Sequence, residues 1–126
     1  MYKPYHLIGL ELGISVASVG LRGEATGAAT GFRGDVVAIS KRELCEGEFL
    51  DGEGGYTVYG RLLPAADSLV CAGLPIGLAH GVKITRRITK GQTVTWNDIA
   101  APDSEAFRVR REMEAAFGHT ESKNIK

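Results

Sequence analysis

Two stretches of this chain are similar to each other: VAISKRELCEGEFL at residues 37–50 and VKITRRITKGQTVT at residues 82–95. With one deletion at Glu43, both contain a hydroxyl residue, two basic residues, an apolar residue, a polar pair, a glycine and an apolar end. Each copy predicts a strand, a tight turn at Gly47 or Gly91, where a positive φ costs little, and a second short strand. A short repeat of this kind is typical of two similar units packed about a pseudo-twofold axis. The alternative is coincidence, because strand–glycine–strand units are common in β-proteins.

The patterns around the repeat divide the chain into four parts. Residues 1–22 are predicted to form an amphipathic helix that ends at Gly23. Residues 23–31, rich in Gly, Ala and Thr, are interpreted as a linker. Residues 32–101 show short β-rich runs broken by Gly, Pro and Asp, which indicates an all-β domain. Residues 102–126 predict a C-terminal helix and a polar tail. The apolar stripe of the first helix is Leu7, Leu10, Ile14, Ala17 and Leu21, and that of the last is Ala106, Val109, Met113 and Ala116.

Composition and charge limit the partners. A chain of 126 residues can form one domain with a hydrophobic core, and hardly two. The formal net charge at pH 7 is zero, so the bulk electrostatics favour neither a nucleic acid nor an anionic membrane as a partner. The second repeat is basic and the first is acidic, and we interpret them as solvated faces that attract each other. The basic residues are Lys83, Arg86, Arg87 and Lys90, and the acidic ones are Glu43, Glu46, Glu48, Asp51 and Glu53.

Cysteine and histidine usage indicates the compartment and the metal content. Cys45 and Cys71 are far apart in the sequence, so we expect no disulfide and a reducing compartment. The three histidines are scattered, and no spacing of His, Cys and Asp suits a metal. Glu11 interrupts the apolar N-terminal stretch, which argues against a secretory signal, and a transmembrane helix would need about 20 apolar residues. We therefore expect a cytoplasmic protein with no metal and no membrane partner.

The order of these features resembles the SAF domain. In both copies the glycine follows a basic pair at nearly the same distance, and both copies lead into turns that contain Asp, at Asp51-Gly52 and Asn97-Asp98. The SAF family includes type III antifreeze proteins and the C-terminal domain of sialic acid synthases, and the resemblance covers residues 32–101. It implies a mainly β fold, the β-clip of short, crossed strands, with flanking N- and C-terminal helices.

A second resemblance narrows the family. The segments GEGGYTVYG at residues 52–60, LLPA at 62–65 and PIGLAHGV at 75–82 resemble the C-terminal region of bacterial homoserine-dehydrogenase-like NAD(P) oxidoreductases. This group includes deoxyxylulose-phosphate reductoisomerase-like enzymes, and in it the SAF-like domain follows the dehydrogenase body. The resemblance implies NAD(P) as the cofactor of the full-length family, with no cofactor held by this chain alone.

The N-terminal segment resembles a further element of homoserine dehydrogenases. In those enzymes a glycine-bearing loop and a late helix pack near the nicotinamide, and YHLIGLELG at residues 5–13 is similar to that element, although it contains fewer glycines. The resemblance implies that His6, Gly9 and Glu11 contribute to the cofactor site of a full-length enzyme. The nucleotide-binding strand–loop–helix and the catalytic domain of the family are not found in these residues, so we expect the chain to be non-catalytic alone.

A second set of candidate residues carries positive charge. His80 precedes the second repeat, and Lys83 and Arg86 lie within it, so these three are the candidates for binding a small anionic metabolite. The alternative for His80 is a structural role in a turn or in the core. The segment GEGG at residues 52–55 lacks the spacing of a dinucleotide fingerprint and is interpreted as a hairpin or bulge. No serine or threonine lies in an activated-nucleophile pattern, so no hydrolase is predicted.

Three functions are compatible with this sequence. The first is a non-catalytic C-terminal SAF-like module of an NAD(P)-dependent oxidoreductase, present as a fragment or truncated reading frame, that serves structure and homo-oligomerisation. The second is a free-standing SAF binding module for a small sugar acid or phosphate. The third is a periplasmic chaperone similar to the SAF proteins of pilus and flagellar assembly, which the missing secretory signal disfavours. The substrate and the choice between NAD and NADP stay open, because the residue that reads the ribose would lie in another domain.

Overall fold

The computed structural model describes residues 5–118 and divides the chain into two compact units. Unit 1 ends at Gly31 and unit 2 begins at Phe32, so the boundary falls where the predicted linker ends. The tail predicted after Gly118 lies outside the described residues. Within the described residues, unit 1 contains a single helical segment, whereas unit 2 contains every strand.

Unit 1 contains a helix that changes its hydrogen-bonding pattern before it ends. Helix α1 runs from Ile8 to Ala17 and continues as one π-helical turn, Ser18–Arg22. Gly23 ends it with a φ of 67°, and its N–H donates to the Val19 carbonyl at 3.1 Å. Glycine adopts this left-handed conformation more readily than any other residue, which explains why the helix ends here. Residues 24–31 contain neither helix nor strand.

Unit 2 is built on two small antiparallel sheets. Strand β1 (Gly34–Ser40) pairs with β3 (Val58–Pro64), and β4 (His80–Ile84) lies between β2 (Phe49–Asp51) and β5 (Ile99–Ala100). The prediction of short strands with one helix before them and one after them in the sequence is confirmed. Helix accounts for 37% of the described residues and strand for 26%, so residues 5–118 are mixed α/β in content, with more helix than the mainly β fold that the resemblance implied.

A short helix interrupts the segment that the sequence predicted to be all-β. Helix α2 runs from Ala65 to Cys71 and ends at Ala72, which has a φ of 51°. It begins directly after Pro64, whose ring fixes φ and whose nitrogen cannot donate to a further ladder bond. Two alanines follow, which favour helix over strand. The helix spans only seven residues, too few for a helical period to stand out among the surrounding β-rich runs.

The two repeats pair with each other reciprocally. The N–H of Leu44 donates to the Ile88 carbonyl and the N–H of Ile88 donates to the Leu44 carbonyl, both at 2.9 Å. The N–H of Gly47 donates to the Ile84 carbonyl at 2.8 Å, and its equivalent, from Gly91 to the Ser40 carbonyl, measures 2.9 Å. Residues 40, 44 and 47 thus correspond to 84, 88 and 91, at a constant offset of 44 positions. The deletion predicted at Glu43 is therefore wrong. The sequence alignment matched similar side chains, whereas the backbone hydrogen bonds match the two repeats without a gap.

Gly47 and Gly91 occupy equivalent turns, as predicted. Their φ angles are 89° and 83°, in the region that favours glycine. Each turn is closed by the side chain that follows its glycine. The Oε1 atom of Glu48 accepts the N–H of Cys45 at 2.7 Å, and the Oε1 atom of Gln92 accepts the N–H of Thr89 at 2.9 Å. Either an amide or a carboxylate can therefore complete this turn.

The reciprocal ladder runs through the hydrophobic core of unit 2. Leu44 and Ile88 are both buried in it, and Trp96 packs against its edge. Because the two central residues exchange backbone bonds inside the core, the pairing of the repeats and the burial of apolar surface stabilise each other. The core consists of Ala38, Leu44, Leu50, Val58, Leu74, Ala79, Val82, Ile84, Ile88, Val94, Ile99 and Phe107.

Helix α3, which runs from Glu105 to Gly118, packs through a face that the sequence did not predict. Of the predicted stripe, Met113 is partly buried, whereas Ala106, Val109 and Ala116 are exposed. The covered face carries Phe107, Arg110 and Glu114. Arg110 donates to the Asp35 carboxylate and, at 2.7 Å, to Oε1 of Glu114. The prediction failed because a stripe of apolar residues does not include Arg110 and Glu114, which are covered through their pairing with each other and with Asp35 of β1.

Candidate functional site

The predicted cofactor-binding residues lie at the start of helix α1. The Nδ1 atom of His6 lies 3.3 Å from Oε2 of Glu11, and the N–H of Leu7 donates to Oε1 of Glu11 at 3.4 Å. Leu7 is the N-cap residue of the helix, and its own side chain cannot cap the free N–H groups there. Glu11 accepts one of them, the N–H of Leu7, instead. A Cβ added at Gly9 would meet no atom within 4 Å. The structure therefore brings His6 and Glu11 together and leaves Gly9 open.

The surface of helix α1 is inverted relative to an ordinary surface helix. Its large apolar side chains are exposed, from 49% at Leu7 to 86% at Leu21, whereas Ser18 is only 3% exposed. The Ser18 hydroxyl donates to the Glu24 carbonyl at 2.9 Å and accepts from Arg22 at 3.0 Å. The predicted amphipathic pattern was incomplete, because apolar residues occupy every face except a narrow polar stripe. The exposed apolar residues are Leu7, Ile8, Leu10, Leu12, Ile14, Val16, Val19 and Leu21.

Two of the predicted anion-binding residues lie on strand β4. Both His80 and Lys83 are exposed. The Nδ1 atom of His80 lies 3.1 Å from the carbonyl oxygen of Asp51. A Cβ on Gly52, whose φ is 79°, would come within 3.0 Å of this imidazole. His80 therefore packs against the backbone of the 51–52 turn, which is the structural role that the sequence left open.

The third candidate, Arg86, lies on a polar cleft whose lining includes neither His80 nor Lys83. Its Nε donates to Oδ1 of Asp98, a residue that is only 4% exposed. Asp98 also accepts the N–H and the hydroxyl of Thr95, both at 2.7 Å, in the capping box that begins the 3₁₀ turn Trp96–Asp98. Arg86 is therefore held by a carboxylate that is itself fixed by the backbone.

Two carboxylates, Glu48 in the first repeat and Asp51 directly after it, have strongly lowered pKa values. Hydrogen bonds from the Thr57 side chain and the Tyr56 backbone lower the pKa of Asp51 to about 2. A hydrogen bond from Arg42 and another from the Cys45 backbone lower the pKa of Glu48 to about 2. Both groups are ionised at neutral pH and hold no proton to give, so neither suits general acid catalysis there.

Several kinds of site are absent from the described part of the chain. Within residues 5–118, no group of three or more His, Cys, Asp or Glu side chains is arranged to hold a metal. No helix in that range is long and apolar enough to cross a membrane. Cys45 and Cys71 are both exposed and free.

Sequence reasoning missed the residues that shape the Arg86 cleft. Gln92 and Asp98 line it together with Arg87, and none of these three was among the predicted site residues. With the offset of 44 positions, Gln92 corresponds to Glu48 and Arg87 to Glu43. Aligned at this offset, the two repeats would have shown that an amide and an arginine replace two glutamates in the second copy. The predicted attraction between the repeats is confirmed at one pair, where Arg87 donates to Oε1 of Glu43 at 2.6 Å.

No model of a known protein family matches this chain, and no curated protein is significantly similar to it in sequence. Function must therefore be inferred from the side chains and their geometry.

Proposed function

We propose that this chain is a non-catalytic SAF-like β-clip module of an NAD(P)-dependent, homoserine-dehydrogenase-like oxidoreductase, and that it serves structure and homo-oligomerisation. The reciprocal backbone bonds between the two repeats, each of which contains a glycine turn, support the β-clip assignment. Two segments carry the resemblance to these enzymes, and both lie in unit 2. Residues 52–60 form the turn against His80 and the start of strand β3, and residues 75–82 lead into strand β4 and begin it.

The inverted surface of helix α1 is the observation that carries the role in association. A helix that is apolar on nearly all faces is ordinarily buried, either in the core of a large protein or in a membrane, and no helix among residues 5–118 is long and apolar enough to cross a membrane. Burying one large aliphatic side chain that is otherwise in water is favourable by roughly 1.5–3 kcal/mol of free energy. The buried Ser18 hydroxyl needs no partner from another chain, because it is hydrogen-bonded to Glu24 within unit 1. A partner would therefore cover the apolar faces.

A second copy of the same helix fits these faces. Gly9, Gly13 and Ala17 recur every four residues, and a Cβ added at either glycine would meet no atom within 4 Å. Small residues at this spacing let two helix backbones approach closely. The neighbouring Leu10 and Ile14 would then pack on their counterparts in the second copy.

Light scattering on the intact chain tests the association. We expect a dimer or a higher oligomer. Replacing Leu10 and Ile14 with Glu should raise the dissociation constant by about tenfold or more per side chain, because each loses its burial at the interface. Val70→Glu is the matched control, since Val70 is an 88% exposed aliphatic residue of helix α2. A monomeric wild-type chain, or a double variant that associates as strongly as wild type, would refute the role.

Calorimetry with NADPH tests the non-catalytic part of the proposal. We expect no measurable heat of binding to the intact chain, because this chain is proposed to hold no cofactor alone. Saturable binding in the micromolar range would contradict the proposal and would move attention to His6, Gly9 and Glu11 as a self-contained site.

A further inference from the structure

A polar cleft in the second repeat has the features of a small-anion site. Arg86, Arg87, Gln92 and Thr93 contribute to its lining, and its volume is about 460 Å³. Small-molecule sites in proteins typically measure about 300–1,000 Å³. The cleft can therefore accommodate a small ligand, and its lining is rich in groups that donate hydrogen bonds.

The guanidinium of Arg86 is oriented before any ligand arrives. Its Nε is engaged by the buried carboxylate of Asp98, which two bonds from Thr95 hold in place. The two Nη groups of Arg86 have no hydrogen-bond partner among residues 5–118, and the side chain is 61% exposed. An arginine held through Nε keeps its Nη edge free for a bidentate contact with a carboxylate or a phosphate.

Two further side chains supply donors to the same cleft. The Oε1 atom of Gln92 is occupied by the N–H of Thr89, which leaves the amide NH₂ of Gln92 as a donor. Arg87 pairs with Glu43 at the surface, where both side chains are at least half exposed. Because an exposed ion pair of this kind contributes little, an incoming anion can replace Glu43 at Arg87.

The first repeat provides an internal comparison. At the positions equivalent to Arg86, Arg87 and Gln92 it has Arg42, Glu43 and Glu48. Arg42 donates through Nη1 to the Glu43 carbonyl at 2.8 Å and through Nη2 to Glu48 at 2.7 Å, so its Nη edge is occupied. The same backbone turn thus carries two carboxylates in one copy, where the other carries an arginine and an amide. Only the second copy has arginine at both of the adjacent positions, Arg86 and Arg87, together with unoccupied hydrogen-bond donors.

We propose that the cleft at Arg86 and Gln92 binds a small oxyanion, either a carboxylate or a phosphate. The Nη edge of Arg86 is the bidentate anchor, the Gln92 amide donates a further bond, and Arg87 adds charge. Of the three anion-binding candidates that the sequence named, this proposed site uses Arg86 and not His80 or Lys83. It is independent of helix α1 and of the association proposed above.

NMR titration of the intact chain tests this proposal. Inorganic phosphate and malonate are added in separate experiments at constant ionic strength, with chloride as the reference anion. We expect saturable shifts in the millimolar range at the amides of Arg86, Gln92 and Thr93 and at the Arg86 Nε–H. Saturation by phosphate alone or by malonate alone supports the site and identifies which oxyanion it prefers.

Gln92→Glu is the decisive variant. Its carboxylate can still accept the Thr89 N–H, as Glu48 does at the equivalent turn, so the fold is retained while the cleft gains a negative charge. We expect binding to weaken by about tenfold or more. Arg86→Lys, which keeps the charge but loses the fork, should weaken it as well. The matched control Glu48→Gln changes the same atoms in the first repeat and should leave the affinity unchanged.

Four results would overturn the proposal. They are shifts that do not saturate with either anion, equal shifts with chloride, shifts centred on His80 and Lys83, and a Gln92→Glu variant that binds as tightly as wild type. Thermal unfolding of each variant, followed by the fluorescence of the single tryptophan, Trp96, separates a lost site from a lost fold.

Discussion

Replacing Gly47 and Gly91 with alanine tests whether the two repeats are equivalent. Both glycines have a positive φ, 89° and 83°, and an added Cβ at either position would meet no atom within 4 Å. The cost of alanine is therefore conformational and not steric. An L-residue in the left-handed region costs about 1–2 kcal/mol, and both angles lie beyond the usual value of about 57°. We expect each variant to lower the free energy of unfolding by about 1–2 kcal/mol, by similar amounts at the two sites.

Urea denaturation of the intact chain measures the effect. The fluorescence of Trp96 reports on unit 2, because its ring packs edge-on against Phe107 with centroids 5.7 Å apart. Gly77→Ala is the matched control: it too has no atom within 4 Å of an added Cβ, but its φ is not positive. The control should change the free energy of unfolding by less than about 0.5 kcal/mol. Asparagine at position 47 or 91 should cost less than alanine, since it tolerates the left-handed region.

The reasoning would be refuted by either of two results. If alanine at positions 47 and 91 costs no more than Gly77→Ala, the turns do not depend on positive φ. If one of the two sites costs several times more than the other, the repeats are not energetically equivalent, whatever the symmetry of their backbone bonds. The double variant should cost the sum of the two single variants when the turns act independently.

The charged contacts of unit 2 give two further tests. Arg110→Met leaves the buried Asp35 carboxylate without its cation, whereas Glu114 keeps its ion pair with Arg111. We therefore expect a loss of about 3 kcal/mol in urea denaturation. Arg108→Met, at an exposed position of the same helix, should cost less than about 0.5 kcal/mol, and an equal loss at both positions would contradict the buried network. Because Asp51 has a folded pKa of about 2, below its ordinary 3.8, its stabilisation is complete above pH 3.8 and is lost as the pH falls toward 2. Asp51→Asn should therefore lower the free energy of unfolding at neutral pH, and the difference from wild type should shrink as the pH falls from 3.8 toward 2. A difference that does not change with pH would contradict the lowered pKa of Asp51.

The repeat was readable from the sequence because its turns demand particular residues. A glycine at positive φ and a polar acceptor after it recur in both copies, and these are local requirements. The register was not readable, because Ser40 and Thr85 are alike in chemistry although Ser40 corresponds to Ile84 in the hydrogen-bonded ladder. Backbone pairing over 44 positions is a tertiary property, so similarity of side chains could not fix it.

The faces of the helices were harder to predict, for a related reason. The covered face of α3 contains Arg110, which pairs with Asp35 and Glu114, and Glu114 itself, which also pairs with Arg111. A hydrophobic pattern assigns such residues to solvent, and only the position of β1 shows otherwise. In α1 the pattern showed a stripe but missed the exposed apolar residues on the other faces, such as Leu12 and Val19.

The candidate site was predictable in charge but not in geometry. The sequence identified the second repeat as basic and named Arg86, whereas the contact that orients Arg86 comes from Asp98, twelve residues later. His80 and Lys83 were grouped with Arg86 because all three are cationic and close in sequence. His80 and Lys83, however, lie on strand β4, whereas Arg86 follows its end, and of the three only Arg86 lines the cleft.

The contact between Glu43 and Arg87 shows what a repeat within one chain allows. The two residues occupy equivalent positions, next to the reciprocal bonds of Leu44 and Ile88, so they face each other across the pseudo-twofold axis. In a symmetric dimer of identical units, one residue would face its own copy there, and like charges would repel. A single chain can place opposite charges at the two positions instead. The ladder needs only a glycine, a polar acceptor and an apolar residue in each copy, which leaves the outward side chains of one copy free to form an anion site without cost to the pairing.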